Sequence, residues 1–247
     1  MNMAADFRRA MLPASVMRDA GLEPDEWQED VLSSVSTRIL MMCSRQVGKT
    51  TTTSFLAINQ ALEPDSLVLM IAPSQRQSGE LFRAMKNYLF KLPYAPKVEQ
   101  ESALRLELSN GSRIVALPGT EATIRGFSGP QLIVVDEAAR IEDGLLAGIR
   151  PMLATTNGRL VMLSTPYGRR GAFYEAWIGN EQWERIRITA DECPRITEEF
   201  LQSEREALGE WQFKQEYMCE FVDTDEAFFN SDIIEQAIFH DLEPLWA

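Results

Sequence analysis

Residues 43–50, with the sequence CSRQVGKT, combine the residue types and the spacing that could bind the phosphates of a nucleotide. The last three match the end of the P-loop pattern G-x-x-x-x-G-K-[ST], in which Lys49 would reach the β- and γ-phosphates and the Thr50 hydroxyl would bind magnesium. The first position departs from the pattern, because Cys43 stands where the pattern has glycine, and Arg45 lies inside the loop. The loop predicts a nucleoside triphosphate site.

A pair of acidic residues could complete such a site. Residues 132–137 read LIVVDE, an apolar run that ends in two carboxylates and is typical of a Walker B strand. Asp136 would hold the magnesium shell, and Glu137 would orient and deprotonate the attacking water. A strand that ends in solvated acids is frequent by itself. The P-loop followed by this strand, however, favours a protein that binds a nucleoside triphosphate and hydrolyses it.

The elements next to both motifs can position them at one site. The apolar run 39–42 predicts a buried strand before the P-loop, and residues 50–58 predict a helix after it. Backbone N–H groups at the start of that helix would point at the phosphates, and the helix dipole favours an anion there. Strands buried on both faces of a parallel sheet read as continuous apolar runs, and ligands bind beyond their carboxyl ends.

The rest of the chain alternates between strands and helices, which predicts an α/β fold with a mainly parallel sheet covered by helices on both faces. Residues 104–108 alternate in polarity, Asn110-Gly111 turns the chain and 114–117 return, so an antiparallel hairpin is expected. The further predicted elements are a helix that starts at 23–28, strands at 67–72, 160–165 and 183–189, helices at 75–91, 144–153 and 171–177, and a helical region from Thr197 onward that includes 210–217 and 231–239.

Composition restricts the class of protein. At 247 residues, with 45% hydrophobic and 25% charged residues, the chain suits one α/β domain with a small appendage. No apolar run approaches the roughly 18 residues of a membrane span, and the N-terminus lacks the apolar region of a signal peptide, so the cytoplasm is expected. Three cysteines without C-x-x-C spacing and a single histidine, His240, make disulfide frameworks, zinc sites and histidine-dependent catalysis unexpected.

The net charge of −13 argues against a DNA-binding surface that covers the whole protein, because such a surface would be basic. Two local basic stretches could still contact DNA. One contains Arg83, Lys86, Lys91 and Lys97, and the other is Arg169-Arg170. The alternative interpretation is a solvated helix face for the first stretch and a basic loop for the second.

Three further short motifs accompany the P-loop and the acidic strand. Trp27-Gln28 looks like an adenine-reading glutamine motif, residues 163–166 (LSTP) look like a coupling motif, and Ile124-Arg125-Gly126 after Asn110-Gly111-Ser112 is similar to a stretch that carries an arginine finger. Together with the variant Walker A loop SRQVGKT, in which an arginine occupies the loop, they make the chain resemble the ATPase domain of the large terminases of tailed phages, the motors of DNA packaging. The resemblance spans nearly the whole chain. It implies a P-loop NTPase fold of the RecA/ASCE type with a small C-terminal helical lid or linker.

The resemblance also implies roles for individual residues, with ATP and Mg²⁺ as the ligands. The nucleotide would contact Trp27, Gln28, Ser44, Arg45, Gln46, Val47, Gly48, Lys49, Thr50 and Thr51. Thr50 and Asp136 would hold the metal, and Glu137, Arg125, Arg45 and Thr165 would act in catalysis.

For three of these residues, the hypothesis of a functional role has a simpler structural alternative. Arg45 could bridge the γ-phosphate to Glu137 or to the sheet, or its salt bridge could merely shape the loop. The Thr165 hydroxyl, at the end of a buried strand beside the P-loop strand, could bond the attacking water or a local backbone group. Arg125, in a Gly-rich stretch, could serve the site of a neighbouring subunit or simply be solvated.

The expected organisation has an N-terminal helical segment with the adenine motif (1–36), a P-loop ATPase core (37–195) and a C-terminal helical lid or linker (196–247). No acidic strand remains for the nuclease domain that normally follows in this family, so nuclease activity is not expected of this chain. Whether the full-length protein carries that domain beyond Ala247 stays open. The implied partners are double-stranded DNA, a portal protein and a small terminase subunit, with no membrane. The implied assembly is a ring of identical subunits, or a monomer in isolation, in the cytoplasm of an infected bacterial host and transiently at the procapsid portal vertex.

Two other function classes compete with a DNA-translocating motor. A helicase of the DEAD-box superfamily shares the glutamine motif, the P-loop and a D-E-A string, here residues 136–138. Such a helicase needs a second RecA-like domain, for which 247 residues leave no room. A binding module that uses ATP as a switch is the third class. Glu137 argues against it, because a switch without turnover needs no positioned base.

Overall fold

The computed structural model describes residues 3–120, 124 and 126–222. Their α/β architecture confirms the predicted fold class. The strands are β1 (Arg38–Cys43), β2 (Leu67–Ala72), β3 (Val98–Glu101), β4 (Arg105–Leu108), β5 (Arg113–Pro118), β6 (Leu132–Asp136), β7 (Arg159–Ser164) and β8 (Glu184–Ile188). The helices are α1 (Met3–Met11), α2 (Ser15–Asp19), α3 (Glu26–Ser33), α4 (Lys49–Ala61), α5 (Gln75–Leu89), α6 (Asp143–Met152), α7 (Gly171–Ile178) and α8 (Glu198–Tyr217), with 3₁₀ turns at Ala138–Arg140 and Ala190–Glu192.

The strands form one sheet in the order β3-β4-β5-β2-β6-β7-β1-β8. Strand β1 is parallel to β7 and β8, and β6 is parallel to β2 and β7. Strand β4 is antiparallel to both of its neighbours, as the predicted hairpin requires. The order places β7 between the P-loop strand β1 and the acidic strand β6. Because all three are parallel, their carboxyl ends meet at one edge of the sheet, where ligands of such sheets bind.

Side chains of the central strands alternate between two apolar layers, which is why these strands read as continuous apolar runs. On one face, strand residues such as Met41, Met70 and Val134 pack with α4 and α5. On the other face, strand residues such as Leu40, Ile71 and Val135 pack with α6 and α7. The largest fully buried side chains that the helices contribute are Phe55 from α4, Phe173 from α7 and Phe213 from α8.

The two ends of the described chain attach to the sheet differently. Val16 and Met17 of α2 and Val31 of α3 belong to the same apolar layer as α4 and α5. Helix α8 instead forms a small cluster of its own, in which Phe213 and Tyr217 pack on the second 3₁₀ turn. Thr197 caps α8 by accepting a hydrogen bond from the backbone N–H of Phe200, which confirms the predicted start of this helix.

The sequence did not predict one strand, and two of its predictions fall outside the described residues. Strand β3 was not predicted, because all four of its residues are exposed and show no alternation between apolar and polar positions. The predicted helix at 231–239 and His240 lie outside the described residues. Within the part of the chain that is described, no helix is both long and apolar enough to cross a membrane.

The hairpin turn supplies a test of the fold. Gly111 has a φ of +82°, and a Cβ atom there would lie 2.1 Å from Asp65 Oδ1. Gly111→Ala is therefore expected to lower the free energy of unfolding by about 1–3 kcal/mol, as measured by urea denaturation. Gly144→Ala is the matched control, because its Cβ atom would meet nothing within 4 Å on α6 and its φ is not positive. The control should match or exceed the wild type. Equal midpoints for the two variants would contradict the strain at Gly111.

Candidate functional site

The P-loop joins the buried end of β1 to the first turn of α4. Ser44 is fully buried, and its backbone N–H donates to the carbonyl of Ile188 on β8 at 2.9 Å. Val47 is also fully buried, and Gly48 follows it with a φ of +101°, a conformation that favours glycine. Gln46 has a φ of +65° as well. The loop is thus pinned at its start and turns back at its end, so that Lys49 begins the helix.

Two side chains from outside the P-loop hold it in place, Gln28 on α3 and Arg195 after the second 3₁₀ turn. Gln28 is only 3% exposed, and its Nε2 donates to Thr52 Oγ1 at 2.9 Å while its Oε1 accepts from the Asp25 backbone N–H at 3.0 Å. Arg195 donates from both terminal nitrogens to the Asp25 carboxylate at 2.7 Å, and to the carbonyl of Val47 at 3.2 Å. The hydrogen bond that Arg195 donates to Asp25 is the main cause that raises the pKa of Arg195. Gln28 and Arg195 therefore tie α3 to the P-loop.

The acidic strand ends beside the start of α4. Lys49 Nζ lies 3.3 Å from Glu137 Oε1, and the Glu137 backbone N–H donates to Asp136 Oδ1 at 3.0 Å. Burial, and then the charge of Glu137, raise the pKa of Asp136 to about 6, against the opposing effect of Lys49. Glu137 has φ 50° and ψ 42°, a left-handed conformation that is uncommon for such a residue and occurs often at functional sites.

A cleft of about 450 Å³ lies over the carboxyl ends of these strands. It brings together five residues that the sequence nominated, and two that it did not. The five are Arg45, Gln46, Lys49, Glu137 and Thr165, and the two are Gln77 and Arg140. Thr165 follows β7 directly and is 2% exposed, so it lies between the P-loop and the acidic strand. The cleft has the charges and the position that a nucleotide triphosphate tail requires.

Arg45 connects the P-loop to the C-terminal helix. Its Nε lies 2.6 Å from Glu216 Oε2, and its backbone N–H donates to the carbonyl of Glu216 at 3.1 Å. The hydrogen bond to Glu216 is the main cause that raises the pKa of Arg45. The guanidinium therefore pairs with α8, while the backbone of Arg45 belongs to the loop.

The remaining nominated residues do not line this cleft, and one of them lies outside the described residues. Thr50 is exposed in the first turn of α4, and the Thr51 hydroxyl lies 3.4 Å from the Tyr88 hydroxyl. Trp27 lines a separate cavity of about 480 Å³, together with Asp25, Arg187 and Pro194 among others. Arg125 lies outside the described residues.

Four residues of the two basic stretches nominated for DNA contacts have partners on the protein. Arg83 pairs with Glu80 at 2.9 Å, and Lys86 pairs with Glu101. Lys91 Nζ lies 5.5 Å from the centre of the Tyr88 ring, and Arg169 Nε donates to the carbonyl of Phe221 at 3.4 Å. These contacts fit the interpretation of a solvated helix face as well as they fit a DNA-binding one.

Sequence reasoning missed four residues of the site. Arg140 follows Glu137 by three positions in the chain, a spacing that brings side chains together in a helical turn and could have revealed it. Gln77 had a weaker signal, its place in the first turn of the helix after β2. Glu216 and Arg195 contact the P-loop across 171 and 148 positions, and no local pattern predicts such pairs.

Comparison with known protein families identifies the family of the chain. Residues 40–236 match the family model described as "Terminase large subunit, T4likevirus-type, N-terminal". The chain is 26% identical over 235 residues to the terminase large subunit of Escherichia phage T5, which covers 90% of this chain and 53% of that protein. It therefore spans about half the length of that relative.

Solved structures show a similar fold. The large terminase ATPase domain of Thermus phage P74-26 is 23% identical with a TM-score of 0.72, over 83% of this chain and 97% of that one. The HK97 bacteriophage large terminase is 16% identical with a TM-score of 0.66, over 87% of this chain and 54% of that one. The large terminase of the thermophilic bacteriophage D6E in complex with ADP is 12% identical with a TM-score of 0.63, over 81% and 54%.

The contacts of Gln28 predict how nucleotide binding depends on it. Both ends of its buried amide bond to protein groups, so Gln28→Ala should loosen the P-loop and weaken ATP and GTP binding by the same factor, about 5–30-fold for the roughly 1–2 kcal/mol of a buried hydrogen bond. Titration of fluorescent analogues of both nucleotides measures the ratio. Gln60→Ala is the control, because the Gln60 amide donates to Ser66 away from the loop. A loss confined to ATP would instead make Gln28 an adenine reader.

Proposed function

Because the chain belongs to the family of T4likevirus-type terminase large subunits, whose N-terminal part it matches, we propose that it is an ATP-hydrolysing motor domain that drives double-stranded DNA into a procapsid. The observation that carries the proposal is the cleft in which Lys49 of the P-loop faces Glu137 of the acidic strand at 3.3 Å. Hydrolysis needs both a cation for the phosphates and a base for the water, and this contact brings the two to one place.

Nucleotide binding would use the backbone of the P-loop and the start of α4. The N–H groups of the first helical turn and the helix dipole favour phosphate there. Lys49 would leave Glu137 and bind the β- and γ-phosphates. The D6E large terminase structures with ADP and with ATP-gamma-S support nucleotide binding at a similar fold. Trp27 and the cavity it lines would receive the base.

The residues present fit Mg²⁺. Asp136 is a half-buried carboxylate with a raised pKa, so its ionised form gains from a nearby cation, and Thr50 offers a hydroxyl at the start of α4. Among the described residues no group of three or more His, Cys, Asp or Glu side chains could hold a metal alone. Mg²⁺ commonly takes one or two protein ligands together with substrate phosphates and water. Thr50 and Asp136 would hold it, and it would neutralise charge on the phosphates.

The hydrolytic step would rely on residues that line the cleft. Glu137 would accept the proton of the attacking water, and Thr165 would orient that water from the end of β7. Arg45 would sense the nucleotide, because phosphates near the loop compete with Glu216 for its guanidinium. The segment after Thr165 leads to Arg169 and Arg170, so a change at the phosphate has a short path to a basic loop.

Assembly and partners follow from the family. We propose that identical subunits form a ring on the portal protein in the host cytoplasm, that double-stranded DNA and the small terminase subunit are further partners, and that Arg125 reaches the site of the neighbouring subunit. A helicase is less well supported, because residues 40–236 of this chain match the terminase family model. An ATP-dependent switch would bind nucleotide without releasing phosphate. Phosphate release measured across protein concentration separates these functions.

The roles of Lys49 and Glu137 are separable by substitution. Lys49→Ala should weaken binding of an ATP analogue and abolish turnover, because it removes the ground-state phosphate contact. Glu137→Gln should bind ATP with Mg²⁺ but hydrolyse it about 10²–10⁴-fold more slowly, the usual worth of a general base. Glu142→Gln, an exposed acid beyond the cleft, is the control and should match the wild type. Wild-type turnover by Glu137→Gln would refute the base assignment.

Action of Arg125 between subunits predicts rescue in mixtures. Arg125→Ala and Glu137→Gln should each be nearly inactive, since a finger supplied by a neighbour is worth roughly 10³–10⁵ in rate. Mixed rings should regain part of the activity, because intact fingers then face intact bases. Phosphate release from mixtures at varied ratios measures this. No rescue in confirmed mixed assemblies would place Arg125 at its own site or outside catalysis.

A further inference from the structure

Arg140 stands in the 3₁₀ turn after β6, between two acids and an aromatic ring. Its Nε lies 3.8 Å from Glu137 Oε2, and its terminal nitrogen lies 4.0 Å from Glu216 Oε1. The centre of its guanidinium lies 4.4 Å from the centre of the Tyr167 ring. We propose that Arg140 is a positioning residue that holds the Glu137 carboxylate in place for hydrolysis when Lys49 turns to the phosphates. This inference rests on the proposed function.

The two oxygens of Glu137 have different surroundings. Oε1 contacts Lys49 at 3.3 Å, whereas Oε2 is buried and accepts no hydrogen bond from any residue that the structure describes. A buried carboxylate oxygen without a donor is unfavourable, and a cation beside it offsets that cost. Arg140 supplies this cation. Its contact at 3.8 Å is longer than a hydrogen bond, so a small movement of either side chain would close it.

Nucleotide binding makes the contact between Arg140 and Glu137 necessary for the position of the Glu137 carboxylate. Lys49 carries one compact charge and cannot serve the phosphates and Glu137 equally well. Once Lys49 has turned to the phosphates, Glu137 keeps an acidic neighbour, Asp136, whose Oδ1 accepts a hydrogen bond from the Glu137 backbone N–H at 3.0 Å. Without a second cation, the Glu137 carboxylate would be free to turn away from its neighbour. Arg140 is in reach of it and is not part of the P-loop.

The position of Arg140 is itself fixed from two sides. The flat guanidinium lies over the Tyr167 ring, a contact that attracts cations, and its donors are numerous enough to face two carboxylates at once. The second carboxylate, Glu216, is 6% exposed on α8. These anchors keep the guanidinium beside Glu137, although the side chain is 36% exposed, as a positioning role requires.

The experiment compares phosphate release and ATP binding by Arg140→Ala and Arg140→Met. The methionine keeps an apolar stem over Tyr167, so a loss in both variants reports the missing charge rather than missing packing. We expect kcat to fall about 10–100-fold, a part of the 10²–10⁴ attributed to a general base, while the Kd of a fluorescent ATP analogue changes less than about threefold. Arg150→Ala is the matched control, because Arg150 is half-exposed and paired with Glu181 outside the cleft.

The double variant Arg140→Ala with Glu137→Gln tests whether Arg140 acts through Glu137. If it does, the double variant is no slower than Glu137→Gln alone, because residues that act as a unit are not additive. Multiplied losses would overturn the inference. So would an unchanged kcat in Arg140→Ala and Arg140→Met, or a raised Kd with unchanged kcat, which would make Arg140 a phosphate ligand. Absence of phosphate release by the wild type would instead overturn the proposed function, and this inference with it.

Discussion

The contact between Lys49 and Glu137 is the interaction on which the rest of the site depends. It joins the P-loop to the acidic strand at 3.3 Å, although the two residues stand 88 positions apart in the chain. The strand order makes the contact possible, because only β7 lies between β1 and β6, so that their carboxyl ends are one strand apart. Thr165, which follows β7, lines the cleft between them. A cation, an acid and a hydroxyl thus surround one space without a long loop to hold them.

The P-loop is held in shape by side chains from outside the loop. Gln28 and Arg195 support its C-terminal end, through Thr52 of α4 and the carbonyl of Val47, and Glu216 holds Arg45 near its start. A phosphate-binding loop gains affinity when its backbone is already ordered, because less conformational entropy is lost on binding. The segments before β1 and after β8 therefore act on the site through these bonds, even though they supply none of the cations that line the cleft.

Local sequence patterns were sufficient to predict most strands and helices, but they were insufficient to predict which distant side chains pair. The apolar runs before the P-loop and before Asp136 predicted β1 and β6, and Asn110-Gly111 predicted the hairpin, since each depends on neighbours in the chain. Strand β3 escaped prediction because it is an exposed edge strand. The partner of Arg45 was also beyond reach, because Glu216 lies on a helix whose packing depends on the whole fold. The strand of Thr165 was expected beside the P-loop strand, which the pairing of β7 with β1 confirms, but no local pattern predicts the rest of the strand order.

Glu216 gives the C-terminal helix a direct dependence on the charge of the cleft. It is 6% exposed, and its two oxygens face Arg45 and Arg140, which are 58% and 36% exposed. A buried carboxylate that loses a cationic partner is left with an uncompensated charge, and the penalty falls on the buried group rather than on the exposed ones. Phosphates that draw Arg45 towards the loop would impose that penalty on α8. The position of α8 is therefore coupled to the charges that surround Lys49, through one side chain rather than through an apolar interface.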